Sequence, residues 1–237
     1  MPFNAELVEA ITSAIPPWLA LFVFLFSYLG SIYVIAPSVI AAYLWGDRER
    51  TATWLGIIIA AYALFVLAKP LFDIPRPDVE PPLAREVFPT VLVPLYDLAI
   101  DFDTGSFPSG HAVVGTVFWG LFVVDLRVST FERRLFVGIV MTFLVGFSRV
   151  GLGIHYVEDV VGGILMGLGL LAVMLAVRER TSDPMTAILV LALVPVAGAA
   201  FIGQVINAAV LFLAIVGSVV AHAKLGGWQP WTPTVRE

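Results

Sequence analysis

Seven apolar runs dominate the chain, at roughly 18–46, 52–71, 109–125, 132–149, 154–177, 185–203 and 205–223. Crossing the ~30 Å hydrocarbon core of a bilayer as a helix takes about 20 apolar residues. In lipid every backbone polar group must be paired within the protein, which leaves only helices and closed barrels, and runs of this length select helices. The chain of 237 residues is 59% hydrophobic and only 13% charged. Mean hydropathy is +0.96. A soluble domain carries about 25% charged residues. The expected fold is therefore all-α, a polytopic transmembrane helical bundle of six or seven spans forming one domain over 1–237. The last two runs, which contain Pro195, Gly198, Gly203, Gln204 and Asn207, form either a tight hairpin or one broken, tilted helix.

Ahead of the first span, residues 3–15 read as a short amphipathic interfacial helix, with Phe3, Leu7, Ile11 and Ile15 at helical spacing. Pro16-Pro17 then starts a new segment. Glu6 and Glu9, with no Lys or Arg before Trp18, do not resemble a secretory signal. No cysteine is present, which excludes disulfides and thiolate metal sites. A net charge of −5 argues against nucleic acid as a partner. Gly163-x-x-x-Gly167 predicts close helix packing. No obligate protein partner is inferred.

Lysine and arginine in short loops set orientation. Arg48, Arg50, Arg127, Arg133, Arg134, Arg178 and Arg180 fall in alternate loops, which should be cytoplasmic. The remaining loops then face outward and carry three polar blocks. The first runs from Lys69 to Arg76-Pro77, the second is Pro108-Ser109-Gly110-His111, and the third holds Ser148-Arg149, His155 and Asp159. Ionisable groups beside membrane segments are expensive and usually functional. The one long loop, 72–108, holds acidic residues, prolines and the greasy stretch Val87 to Ile100. It reads either as an entrance to the site or as a cap on the bundle.

The residue types suggest phosphate chemistry. His155 and Asp159, four apart at a predicted helix start, lie on one face. The carboxylate can fix the imidazole tautomer and stabilise charge on the ring, leaving the other nitrogen free to attack. Arg149 offers a planar fork for a phosphate. The amide groups at the start of the helix opened by Ser109 and Gly110 favour an anion, and His111 stands as general acid. Lys69 and Arg76 complete a set of three cations, enough to hold a phosphate without a metal or other cofactor.

Lys-x6-Arg-Pro, Pro-Ser-Gly-His and Ser-Arg-x5-His-x3-Asp resemble the three signature motifs of the type 2 phosphatidic acid phosphatase family. They span Lys69 to Asp159, and none departs from the pattern. The superfamily also includes vanadium haloperoxidases and glucose-6-phosphatase. The resemblance implies that Lys69, Arg76, Ser109, Gly110 and Arg149 cradle phosphate. It implies His155 as nucleophile, Asp159 as its orienter, His111 as acid, and water as final acceptor without a metal.

The expectation is an integral membrane lipid phosphatase with its site on the non-cytoplasmic face. Its partner would be a membrane lipid: polyprenyl diphosphate, phosphatidic acid or phosphatidylglycerol phosphate. The outward site suits recycling of a polyprenyl carrier. The alternatives are a lipid phosphotransferase using the same phosphohistidine, a non-catalytic transporter or scaffold, and a divalent-metal site at Asp101 and Asp103. Haloperoxidases fit less well, being soluble and larger. His222 lies in no motif and is expected at an interface.

Overall fold

The computed structural model describes residues 3–88, 90–100 and 104–225. Among them are ten α-helices and no strand. They are α1 (Ala5–Ser13), α2 (Pro17–Tyr28), α3 (Ile32–Trp45), α4 (Arg48–Phe72), α5 (Val93–Ile100), α6 (Gly110–Asp125), α7 (Phe131–Gly151), α8 (Val157–Arg180), α9 (Pro184–Phe201) and α10 (Val205–Leu225). Five of these, α4 and α7 to α10, are long and apolar enough to cross a membrane. The expected all-α membrane bundle is what forms.

The central element is α6, packed against α4, α7 and α8. Its 16 residues rise only about 24 Å. Ten of them are buried, from Ala112 to Asp125, because neighbouring helices rather than lipid surround it. The Gly163/Gly167 pair allows α8 this close. A Cβ on Gly163 would lie 2.8 Å from the Ser109 carbonyl oxygen, and one on Gly167 would lie 2.7 Å from that of Val113.

The apolar run at 18–46 is not one span. It breaks at Leu29-Gly30-Ser31 into α2 and α3. Gly30 explains the break, since a Cβ there would meet Val145 Cγ1 at 2.5 Å and the His111 carbonyl oxygen at 3.0 Å. The chain has to present bare backbone to α6 and α7 at this level, and it leaves the helical path to do so. The two final runs form a hairpin. Gly203, with φ +90°, turns between α9 and α10, and the Gln204 amide donates to the Ala199 carbonyl at 2.9 Å.

α1 meets α2 at 120°. Its buried face is the expected one turned slightly, since Phe3, Ile11 and Ile15 pack inward but Leu7 does not. Val8 and Thr12 point inward, with Ile15 just beyond, whereas Leu7 is exposed. The reason is that α1 packs on the end of α7, where Val8 joins Val150 and Tyr156 and the Thr12 hydroxyl donates to the Val150 carbonyl at 3.5 Å.

The described part of the long loop packs aromatic rings on α2. Phe88 stacks on Tyr96 at 4.3 Å, and Phe24 meets both rings at 5.5 and 5.7 Å. The Tyr96 hydroxyl donates to the Leu83 carbonyl. Burial pushes that phenol up to about 12. Tyr28 donates to the Leu95 carbonyl at 2.5 Å, and Arg85 pairs with Asp97 at 2.5 Å. α5 is thereby held against α2, with Leu98 on the cavity described below.

Candidate active site

The three polar blocks converge at one end of the bundle. The end of α4, the start of α6, the end of α7 and the start of α8 meet around a cavity of about 280 Å³. Lys69, Arg76, Gly110, His111, Arg149 and His155 line it. Asp159 lies behind His155, fully buried. Ser109 also lies behind the lining, at the N-cap of α6. Its buried hydroxyl has no hydrogen-bond partner among the described residues. Buried polar atoms are rarely left so, and a serine at a helix N-terminus beside three cations suits an anion's oxygen.

The histidine and the carboxylate meet through cap geometry rather than on one helical face. His155 precedes the N-cap residue Tyr156, and Asp159 is the third residue of α8. Asp159 Oδ2 accepts from the Tyr156 amide at 2.8 Å and lies 3.1 Å from His155 Nδ1. Oδ1 accepts from Ser106 at 3.3 Å. A carboxylate already fixed as an acceptor on both oxygens places the imidazole proton on Nδ1. Nε2 is then the basic nitrogen, 3.3 Å from Arg76 Nη1. Burial, and next the Arg76 charge, hold this imidazole well below its ordinary value, which favours the neutral ring.

Backbone carbonyls aim the cations. Lys69 donates to the Gly105 carbonyl. Arg76 donates through Nε to Thr104 at 2.9 Å and through Nη1 to Ile154 at 2.8 Å. Arg149, 0% exposed, donates to the Ser27 hydroxyl and to the Ala99 carbonyl at 3.2 Å. The turn between Arg149 and His155 closes with the Ile154 amide on the Arg149 carbonyl at 3.3 Å and needs a positive φ at Gly153, +76°.

Several of these groups escaped the sequence reading. Ser106, Thr104 and Gly105 anchor Asp159, Arg76 and Lys69. Ser27 holds Arg149 from within an apolar run, where an isolated hydroxyl was the available signal. Gly30, Ser31 and Leu98 also line the cavity. Asp101 and Asp103, the alternative metal site, lie outside the described residues.

Comparison with known proteins shows the family and the fold. The model of the PAP2 superfamily matches residues 50–183, more than half the chain and all three blocks. The chain belongs to the PAP2 superfamily. Two solved structures share the fold. A transmembrane PAP2-type phosphatidylglycerolphosphate phosphatase from Bacillus subtilis aligns at TM-score 0.60 and 24% identity, over 74% of this chain and 84% of that one. LpxE from Aquifex aeolicus aligns at TM-score 0.55 and 24% identity, over 74% of this chain and 96% of that one. An uncharacterized 22.5 kDa protein of the cps region of Klebsiella pneumoniae is 34% identical over 80 residues, 32% of this chain and 38% of that relative's length.

Proposed function

We propose that this PAP2 protein is a lipid phosphatase that cleaves a phosphomonoester or diphosphate lipid at the non-cytoplasmic face through a phosphohistidine. The observation that carries the reading is the His155–Asp159 contact of 3.1 Å, with His155 on a cavity also lined by Lys69, Arg76 and Arg149. His155 Nε2 attacks phosphorus, the bond from phosphorus to the leaving oxygen breaks, and His111, which must be protonated when the anionic phosphate is bound beside it, gives that oxygen its proton. Water then attacks the phosphohistidine, loses a proton to His111, and releases phosphate and neutral His155. Charge on the phosphoryl oxygens is met by the three cations and the first amides of α6. The arginine-rich loops join helices at the end opposite the cavity, which supports an outward-facing site.

Polyprenyl diphosphate, phosphatidic acid and phosphatidylglycerol phosphate are the candidate substrates. The test is phosphate release from each by purified protein in detergent with EDTA, beside His155→Ala. Release that survives EDTA and vanishes in the variant is the expected result. Equal release by the variant overturns the nucleophile, and no release from any lipid by folded protein overturns the phosphatase reading.

A further inference from the structure

Arg149 stands in the last turn of α7, fully buried, and lines the phosphate cavity. An arginine stem rotates freely, so a fork that is to meet a phosphate bidentately has to be aimed by the protein. Nη1 donates to the Ser27 hydroxyl of α2 and to the Ala99 carbonyl of α5, the second at 3.2 Å. Two acceptors on one nitrogen fix the plane of the guanidinium, and with it the direction of the Nε–Nη2 edge. α2 is pressed against α7 at this level, where a Cβ on Gly151 would lie 3.2 Å from Val23 Cγ1. Tyr28, the next residue after Ser27, holds α5 through the Leu95 carbonyl at 2.5 Å. Consecutive residues of α2 thus grip Arg149 and the helix that supplies its second acceptor.

Ser27 is 1% exposed in an otherwise apolar stretch of α2. A serine in such a helix ordinarily turns its hydroxyl back on its own backbone. Ser38 does so to Val34 at 2.7 Å and Ser218 to Ala214 at 2.6 Å. Ser27 instead accepts from a guanidinium 122 residues away.

We infer that Ser27 is a positioning residue for phosphate binding, acting through Arg149 by setting the guanidinium toward the phosphate of substrate and product. The inference rests on the phosphatase reading above. It gives a part in the site to a residue that precedes all three polar blocks and lies outside the region, 50–183, matched by the family model.

Ser27→Ala removes the hydroxyl acceptor and leaves Arg149 in place. The assay, in detergent, takes a short-chain phosphatidic acid as substrate and inorganic phosphate as inhibitor. KM and the inhibition constant of phosphate should each rise about tenfold, the size expected for losing a hydrogen bond to a charged group. kcat should change less than about threefold, as for a loss of binding common to ground and transition states. A smaller folded fraction would lower kcat and leave KM and the inhibition constant where they were, so the split separates positioning from stability. Ser27→Thr keeps the hydroxyl and should hold both constants within about threefold of the unmodified protein. Ser218→Ala, a buried serine of α10 with no tie to Arg149, should change neither constant. An unchanged KM and inhibition constant in Ser27→Ala, or constants in Ser27→Thr as high as those of Ser27→Ala, would overturn the inference. Turnover by the unmodified protein that survives His155→Ala would instead mark failure of the phosphatase reading itself.

Discussion

Asp125 of α6 ties three of the four helices that carry the polar blocks, α4, α6 and α8, together at their far end. Arg178 of α8 reaches it through two bonds, at 2.6 and 2.8 Å. Trp54 of α4 donates to it at 2.7 Å, and Arg50 lies 3.7 Å away. The Asp125 side chain is 0% exposed and that of Arg178 only 6%. Asp125→Ala would leave a buried guanidinium with Glu179, at 3.5 Å, as its remaining carboxylate neighbour, and that neighbour is over half exposed. It would also strand a buried indole N–H. Breaking one side of a buried ion pair costs about 3–5 kcal/mol, and an orphaned donor about 1–3 more, partly overlapping. The expected loss is about 4 kcal/mol. Replacing both partners, as in Asp125→Leu with Arg178→Met, should recover at least half of it, because no buried charge is then left unpaired. The assay is reversible unfolding in mixed micelles for both single variants and the double variant. Asp125 sits fifteen helical residues from Gly110, about 22 Å, so turnover per folded molecule should hold within about twofold. A single-variant loss below about 1 kcal/mol, or a double variant as unstable as the sum of the singles, would refute the reasoning.

Two further outcomes follow from the packing and the site. Gly163→Val should force α8 off α6, given the 2.8 Å approach to the Ser109 carbonyl, and lower both stability, by about 1–3 kcal/mol, and turnover. The same change at Gly169, where nothing lies within 4 Å, should move α6 and α8 not at all, and equal effects in the two variants would show that the close approach is unimportant. His155 is held below its ordinary value of 6.5 by burial and by Arg76. Below pH 6.5 the unfolded chain therefore takes a proton that the folded protein refuses, so this group favours folding fully above pH 6.5 and progressively less as pH falls. A depressed value favours the neutral ring, the form the proposed nucleophile needs, at that pH. Carbon-13 NMR of the labelled imidazoles should show His155 unprotonated at pH 6.5, and titration at or above it would contradict the assignment.

The chain by itself determined the solvent, the class of fold and the residue types of the site. Long apolar runs leave the backbone no partner in lipid but itself, so helices follow from composition alone. Lys69, Arg76, His111, Arg149, His155 and Asp159 were legible because charge and imidazole stand out beside hydrocarbon, and because each block has fixed local spacing. Tertiary structure decided what local spacing cannot carry. The break at Gly30 depends on Val145 and the His111 backbone, which are more than eighty residues away in sequence. The buried face of α1 depends on the end of α7, so Val8 and Thr12 turn inward beside Phe3, Ile11 and Ile15 of the expected stripe, while Leu7 stays exposed. Ser27 and Ser106 gain meaning only once Arg149 and Asp159 are brought within reach. A cleft of about 770 Å³ lies between α3 and α10 because both pack on α4 and scarcely on each other, a property of three helices at once that no single apolar run records.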